Sequence, residues 1–436
     1  MGGSLVSSRF RRMRTRETLR IALCGFLAAM FAPVPVNSEP CSDLPDCNLD
    51  TPAIISHYGF VPEIHTCRTP DGFHLTLHRI TDPKRSDKTK GAVLLQHGLL
   101  DSSSTWVMNR RDGSLAFILA DAGFDVWLGN NRGNSYSLAH DFLKPTQAEF
   151  WKWSWDEMAR FDLPTMVGYV STMARVEKIS LVGHSQGTMQ AFAALSIPSA
   201  RQTLSSHLNL FVALAPVAYL THLSSPLLRT LADVQAVALV RFFGDKSFLP
   251  STEMLRKTLP ALCSLSQFAC ESFACMLSGC VPGSRSHVNH TRWPVYSAHY
   301  PTGTSVQNIA HFSQGVRSGA FQRFDFGATE NMARYNSSTP PPYLLPFDAS
   351  VPTAIFSGSL DSLADSQDVQ RLVQQLPPGM VVWREELQTW DHLTFVWGED
   401  ANAYLYPKLR ALIASHARPS PEDPRADGVE DGASVV

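Results

Sequence analysis

Gly183-His184-Ser185-Gln186-Gly187 constrains the fold of this chain more than any other feature, because of what flanks it. The run Ile179-Ser-Leu-Val before it predicts a short buried strand, and Thr188 to Leu195 after it predicts a helix. A serine at a sharp strand-to-helix turn occupies a strained backbone conformation, and glycines two residues to either side let strand and helix approach closely. Such a turn presents the serine hydroxyl at the carboxyl end of a sheet, where a nucleophile belongs. An ordinary glycine-rich turn requires neither flank.

The rest of the chain supplies the sheet. Phe73 to Ile80 alternates with period two, Ala92 to Gln96 and Phe124 to Leu128 are short apolar runs, and Leu115 to Ala122 and Asp162 to Thr172 read as helices. Strands separated by helices imply βαβ units, hence an α/β fold with a mostly parallel, doubly wound sheet. The pattern resumes with Leu208 to Leu214, Thr353 to Phe356 and Val381 to Leu387. Between 216 and 347 it lapses; Leu227 to Phe243 has an amphipathic helical period, and four cysteines follow. An insertion of that size predicts a mainly helical cap over the strand ends, splitting the core into 39–215 and 348–417. An independent domain is the alternative, disfavoured because sheet-like strands recur directly after the insertion.

A serine hydroxyl is a weak nucleophile at neutral pH and requires a base, which in turn requires an orienting acid. In this topology acid and base follow the serine in chain order. Asp361 stands just past the strand Thr353 to Phe356, where the acid belongs, with Asp365 and Asp368 as nearby rivals. Downstream only His392 and His416 remain, and His416 adjoins a polar tail, so His392 is the base by elimination. It follows the strand Val381 to Leu387 and faces the same crevice. The developing oxyanion needs N–H donors. The backbone of Gln186 is one, and Leu99 is the other, in the loop Gln96-His97-Gly98-Leu99-Leu100 after an early strand. His97 precedes the serine and is expected to shape that loop.

The chain's ends read as processing and solvation. Arg9 to Arg20 holds six arginines, and Ile21 to Ala32 is an apolar run of twelve residues cut off by Pro33 and Pro35. Basic then apolar is the signal-peptide order, and twelve residues fall short of the roughly 20 that span a bilayer, so residues 1–38 are expected to be cleaved. No later stretch is long and apolar enough to span a membrane. Arg418 to Val436 carries three prolines and five acidic residues and predicts a disordered acidic tail.

A secretory address fits the sequons Asn289-His-Thr and Asn336-Ser-Ser, candidate glycosylation sites. It also makes the cysteines informative. Beyond the leader stand Cys41, Cys47, Cys67, Cys263, Cys270, Cys275 and Cys280, an odd number, so at least one is free or paired between chains. The cluster at 263–280 with His287 and His290 could be read as zinc, but apart from the two x₄ gaps at 270/275 and 275/280 no C-x₂₋₄-C pair is joined to a second, and disulfides are the better reading. With 37 Lys and Arg against 39 Asp and Glu, and no basic stripe interleaved with aromatics, nucleic acid is set aside.

Several segments together resemble the acid lipase family, the gastric and lysosomal type within the α/β-hydrolase superfamily. They are Leu-Gln-His-Gly-Leu-Leu at 95–100, Asp-Val-Trp-Leu-Gly-Asn-Asn-Arg-Gly-Asn at 125–134 and Ser-Trp-Asp-Glu-Met-Ala at 154–159. Val-Gly-His-Ser-Gln-Gly-Thr at 182–188, Gly-Thr-Ser-Val-Gln-Asn at 303–308 and Leu-Ala-Asp-Ser-Gln-Asp-Val at 363–369 complete the set. The resemblance covers about 54–413. It implies Ser185, Asp361 and His392 as a triad, Leu99 and Gln186 as oxyanion donors, and a cap with a movable lid over a lipid-binding crevice. It departs at Asp391, where the family carries Asn or Glu, and in the cap cysteine spacing. The expected activity is hydrolysis of neutral lipid esters at a lipid–water interface, in a secreted or lysosomal setting, with no cofactor or metal. The other readings are an esterase or thioesterase for small soluble esters, and a secreted binding protein on the same fold.

Overall fold

The computed structural model describes residues 44–82, 90–225, 244–250, 287–345 and 348–417, with isolated positions at 41, 229 and between 256 and 275. The leader expected at 1–38, the tail at 418–436 and all but one residue of the helical pattern at 227–243 lie outside the described residues.

The apolar runs become the centre of a sheet. β3 (Ala92–Gln96), β4 (Asp125–Gly129), β6 (Ile179–His184) and β10 (Thr353–Gly358) are buried at every position, which is why their sequences lack alternation. Around them stand β1 (Val61–Arg68), β2 (Phe73–Thr81), β5 (Ala139–His140), β7 (Leu208–Leu214) and β11 (Val381–Leu387). Among the described residues these nine strands form one sheet in the order β1-β2-β4-β3-β6-β7-β10-β11, with β5 on β2. From β4 to β11 all neighbours are parallel, while β1, β2 and β4 pair antiparallel. The expected mostly parallel α/β sheet is therefore present.

The differences from expectation have local causes. β1 has no apolar run to announce it. As an edge strand only Cys67 is buried, and Pro62, Glu63 and His65 face partly outward. β6 extends two residues past the apolar run, through His184, because its last carbonyls and amides still pair with β7. The helix expected from Asp162 begins one residue later and is preceded by a π-helical turn, Met158–Asp162.

Helices cover the sheet: α1 (Thr51–His57), α2 (Leu115–Asp121), α3 (Leu163–Ala174), α4 (Gln186–Ser196) and α5 (Pro198–His207), then α9 (Ser366–Gln375) and α10 (Tyr406–His416) after the insertion. Within it lie α6 (Trp293–His299), α7 (Val306–Ser318), α8 (Ala328–Tyr335) and the two-stranded pair β8 (Ser247–Phe248) with β9 (Thr304–Ser305). β7 and β10 are direct neighbours in the sheet, so residues 215–352 leave and return between adjacent strands. Trp151, Trp153 and Trp155 are all buried, and Trp155 stacks on His311 of α7 at 3.9 Å, so the aromatic run is packing between core and insertion.

Candidate active site

At the end of β6 the chain turns sharply into α4. Ser185 takes φ 55° and ψ −120°, a left-handed conformation a non-glycine residue adopts only under constraint, and its N–H donates to the Leu214 carbonyl of β7 at 3.1 Å. Gly187 makes this turn possible. A Cβ there would lie 2.5 Å from the Gln96 carbonyl oxygen, so only glycine lets α4 start against the end of β3.

Three strands across the sheet, the loop after β11 brings His392 to the same place. Ser185 Oγ donates to His392 Nε2 at 2.7 Å, and His392 Nδ1 donates to Asp361 Oδ2 at 2.9 Å and Oδ1 at 3.0 Å. Asp361 follows β10, is 4% exposed and accepts from the backbone N–H groups of Leu363 (2.9 Å) and Ala364 (2.8 Å). Burial alone would raise its pKa, but the imidazole of His392 and these donors hold the carboxyl below its ordinary value. The rivals are used elsewhere. Asp365 caps α9 through Gln367 N–H, and Asp368 binds the backbone N–H and Nδ1 of His222.

The loop after β3 lies against the nucleophile. A Cβ on Gly98 would be 3.0 Å from Ser185 Cβ, so this backbone approaches the serine as closely as it can. His97 shapes the loop from below: its Nε2 accepts from Asn131 N–H at 3.1 Å, leaving Nδ1 to donate to the Gly98 carbonyl at 2.8 Å. Burial pushes His97 down to about 4, so it is neutral and not a competing base near neutral pH. Leu99, with Ser185, His392, Asp101, Leu220, Tyr300 and Phe312, lines a mainly apolar crevice of about 40 Å³. A larger cavity of about 530 Å³, lined by Ser104, Tyr136, Arg256 and His299 among others, contains none of the three relay residues.

Three supporting residues escaped sequence reasoning, two of them because they act across a long stretch of chain. His184 Nε2 donates to the His392 carbonyl at 2.9 Å. Asp391, the departure noted above, accepts from the N–H groups of Leu393 and Thr394 and from Thr394 Oγ1, capping the turn that carries His392. Asn308, at the start of α7, donates to Gln186 Oε1 at 2.7 Å and accepts from Trp155 N–H at 2.8 Å, tying the residue after the nucleophile to the insertion. Position in the quoted motifs was the only signal for Asn308.

The cysteine question resolves in part. Cys41 pairs with Cys47 and Cys263 with Cys270, Cys275 is also disulfide-bonded, and Cys67 is a free buried thiol. Among the described residues no group of three or more His, Cys, Asp or Glu side chains is arranged to hold a metal. Asn289 is half-buried, its Oδ1 accepting from the sequon's own Thr291, and Asn336 is exposed at the left-handed end of α8.

Comparison with known proteins agrees with this architecture. Residues 91–399 match the family model described as "alpha/beta hydrolase fold", and 51–110 match "Partial alpha/beta-hydrolase lipase region". The human protein named "Lysosomal acid lipase/cholesteryl ester hydrolase" is 41% identical over 379 residues, 85% of this chain and 92% of that one. Bovine "Gastric triacylglycerol lipase" is 39% identical over 383 residues, again 85% of this chain and 92% of the other. Among solved structures, a soluble variant of monoglyceride lipase from Saccharomyces cerevisiae superposes with a TM-score of 0.50 at 13% identity, covering 82% of this chain and 96% of that one, a likeness of fold alone.

Proposed function

The chain belongs to the acid lipase family of α/β-hydrolases, and from that premise we propose that Ser185, His392 and Asp361 hydrolyse neutral lipid esters through an acyl-enzyme. The observation that carries this reading is the continuous relay from Ser185 Oγ through both ring nitrogens of His392 to a buried, anionic Asp361.

Ser185 Oγ attacks the ester carbonyl while His392 Nε2 takes its proton, and Asp361 holds the ring in the tautomer that leaves Nε2 free to accept. Negative charge then develops on the carbonyl oxygen, beside the backbone N–H of Gln186 at the start of α4 and that of Leu99 in the loop pressed against the serine. Such donors contribute about 3–4 kcal/mol each in comparable enzymes. His392 returns the proton to the departing alcohol, and water, activated by the same nitrogen, releases the fatty acid. The mainly apolar lining of the crevice, with Leu220, Phe312 and Leu363, suits an acyl chain.

We place the protein in the lumen of the secretory pathway, secreted or lysosomal, with its leader removed and glycans on Asn289 and Asn336. The substrate is a triacylglycerol or a sterol ester met at a lipid–water interface. Purified protein assayed on emulsified triolein and cholesteryl oleate from pH 4 to 8 tests this, with the ratio of rates naming the preferred ester. Ser185→Ala is expected to lower turnover by about four to six powers of ten. Activity near wild type in that variant would remove Ser185 from the mechanism.

A further inference from the structure

Building on the hydrolase reading, we infer that His184 is a positioning residue for proton transfer, holding the main chain of His392 in register with Ser185 through its Nε2–H. The need for such a tie follows from the sheet. Ser185 directly follows β6 and His392 follows β11, and β7 and β10 stand between, so no ladder hydrogen bond joins the two loops. The Ser185–His392 hydrogen bond links them, but that bond is broken and remade in every turnover as the proton moves. The bond from His184 to the His392 carbonyl, 2.9 Å long, is one the reaction does not consume.

The protonation of His184 suits this task. A carbonyl oxygen only accepts, so Nε2 must carry the hydrogen and, in the neutral ring, Nδ1 is a bare acceptor. That Nδ1 is buried with no hydrogen-bond partner among the described residues. A buried, unpaired acceptor is unfavourable, and a phenyl ring would fill the same space without one. An imidazole here is therefore explained by the use made of its other nitrogen. Burial, and then the nearness of His392, push His184 down to about 3, so it remains neutral from pH 4 upward. The donor stays in place across that range, and His184 adds no second positive charge beside His392, whose ring centroid is 4.9 Å away, when that ring takes up the serine proton.

The test compares His184→Phe, which keeps a ring and removes the donor, with His184→Gln, which keeps a donor at similar reach. Active sites are titrated with a fluorophosphonate so that rates refer to folded, reactive protein. Displacing a catalytic group by about 1 Å costs on the order of 100-fold. His184→Phe is accordingly expected to lower kcat per titrated site by about 10- to 100-fold with KM within about threefold, and to slow phosphonylation by a similar factor. His184→Gln is expected to recover most of both. If His184→Phe does not fold, His184→Asn, too short to reach the carbonyl, takes its place with the same expectation. A loss of titratable sites with wild-type kcat at those that remain would overturn the inference, since that is how a purely structural residue behaves. So would equal losses in the Phe and Gln variants, or wild-type kinetics in both. An inactive wild-type protein that fails to react with the probe would overturn the hydrolase reading as well, which separates the two failures.

Discussion

Asp101 is a carboxyl in a place that favours its neutral form. It lines the crevice beside Leu99, is 5% exposed, and accepts hydrogen bonds from Ser102 N–H at 2.8 Å and from the Thr105 side chain, with no cation paired to it among the described residues. Burial pushes it up to about 7 from an ordinary 3.8. The folded state therefore holds a proton between about pH 4 and 7 that the unfolded chain releases. By linkage its contribution to stability is full below about pH 4 and is lost as pH rises toward 7. Asp101→Asn keeps the shape without the titration. Its melting temperature is expected to match wild type near pH 4, to exceed it increasingly up to about pH 7 and to hold that lead at pH 8, read by thermal denaturation across that range. A difference independent of pH would contradict the assignment. Nothing in the sequence marked Asp101, because the crevice it lines is assembled with residues such as Tyr300 and Leu393, which the chain delivers from far away.

At the scale of elements, the strand-to-helix turn was legible from five residues because sterics leave it few solutions. Gly187→Ala tests that directly. The added methyl would meet the Gln96 carbonyl oxygen at 2.5 Å, so α4 must move away from β3. A cost of about 1–3 kcal/mol is expected from the urea midpoint, together with a fall in turnover because Ser185 and the Gln186 N–H move with the helix. Central strands were equally legible, since burial on both faces writes an uninterrupted apolar run. Edge strand β1 was not, because half of it faces solvent and its register is imposed by β2. Asp361 and His392 could be picked out by chain order, whereas His184, Asp391 and Asn308 could not. The partners of His184 and Asn308 lie in other loops, and hydrogen bonds spanning 208 or 122 residues leave no local pattern, while Asp391 caps only its own turn, as many aspartates do.

For the whole molecule the odd cysteine serves as a gauge of global unfolding. Cys67 lies on β1 with 4% exposure, and burial pushes its thiol up to about 12. Native protein at pH 8 is expected to resist iodoacetamide at Cys67, and labelling of that peptide, followed by mass spectrometry in a urea series, should track the unfolding transition. Labelling well before the transition would show β1 opening on its own, as edge elements can. Two buried arginines are held by partners: Arg132 lies between Asp71 and Asp162, and Arg292 is paired with Asp46. Removing one partner of such a pair is far more costly than replacing both, so the core tolerates paired changes better than single ones.

The insertion between adjacent strands β7 and β10 also orders events in time. The nucleophile is translated before residues 215–352, and the acid and base after them. A ribosome-bound chain can complete its serine turn while Asp361 and His392 do not yet exist as polymer. Only when the second half of the sheet docks onto β7 does the hydroxyl gain a proton acceptor. A catalyst that attacks lipid is thus born inert, and its activation coincides with the closing of its own sheet.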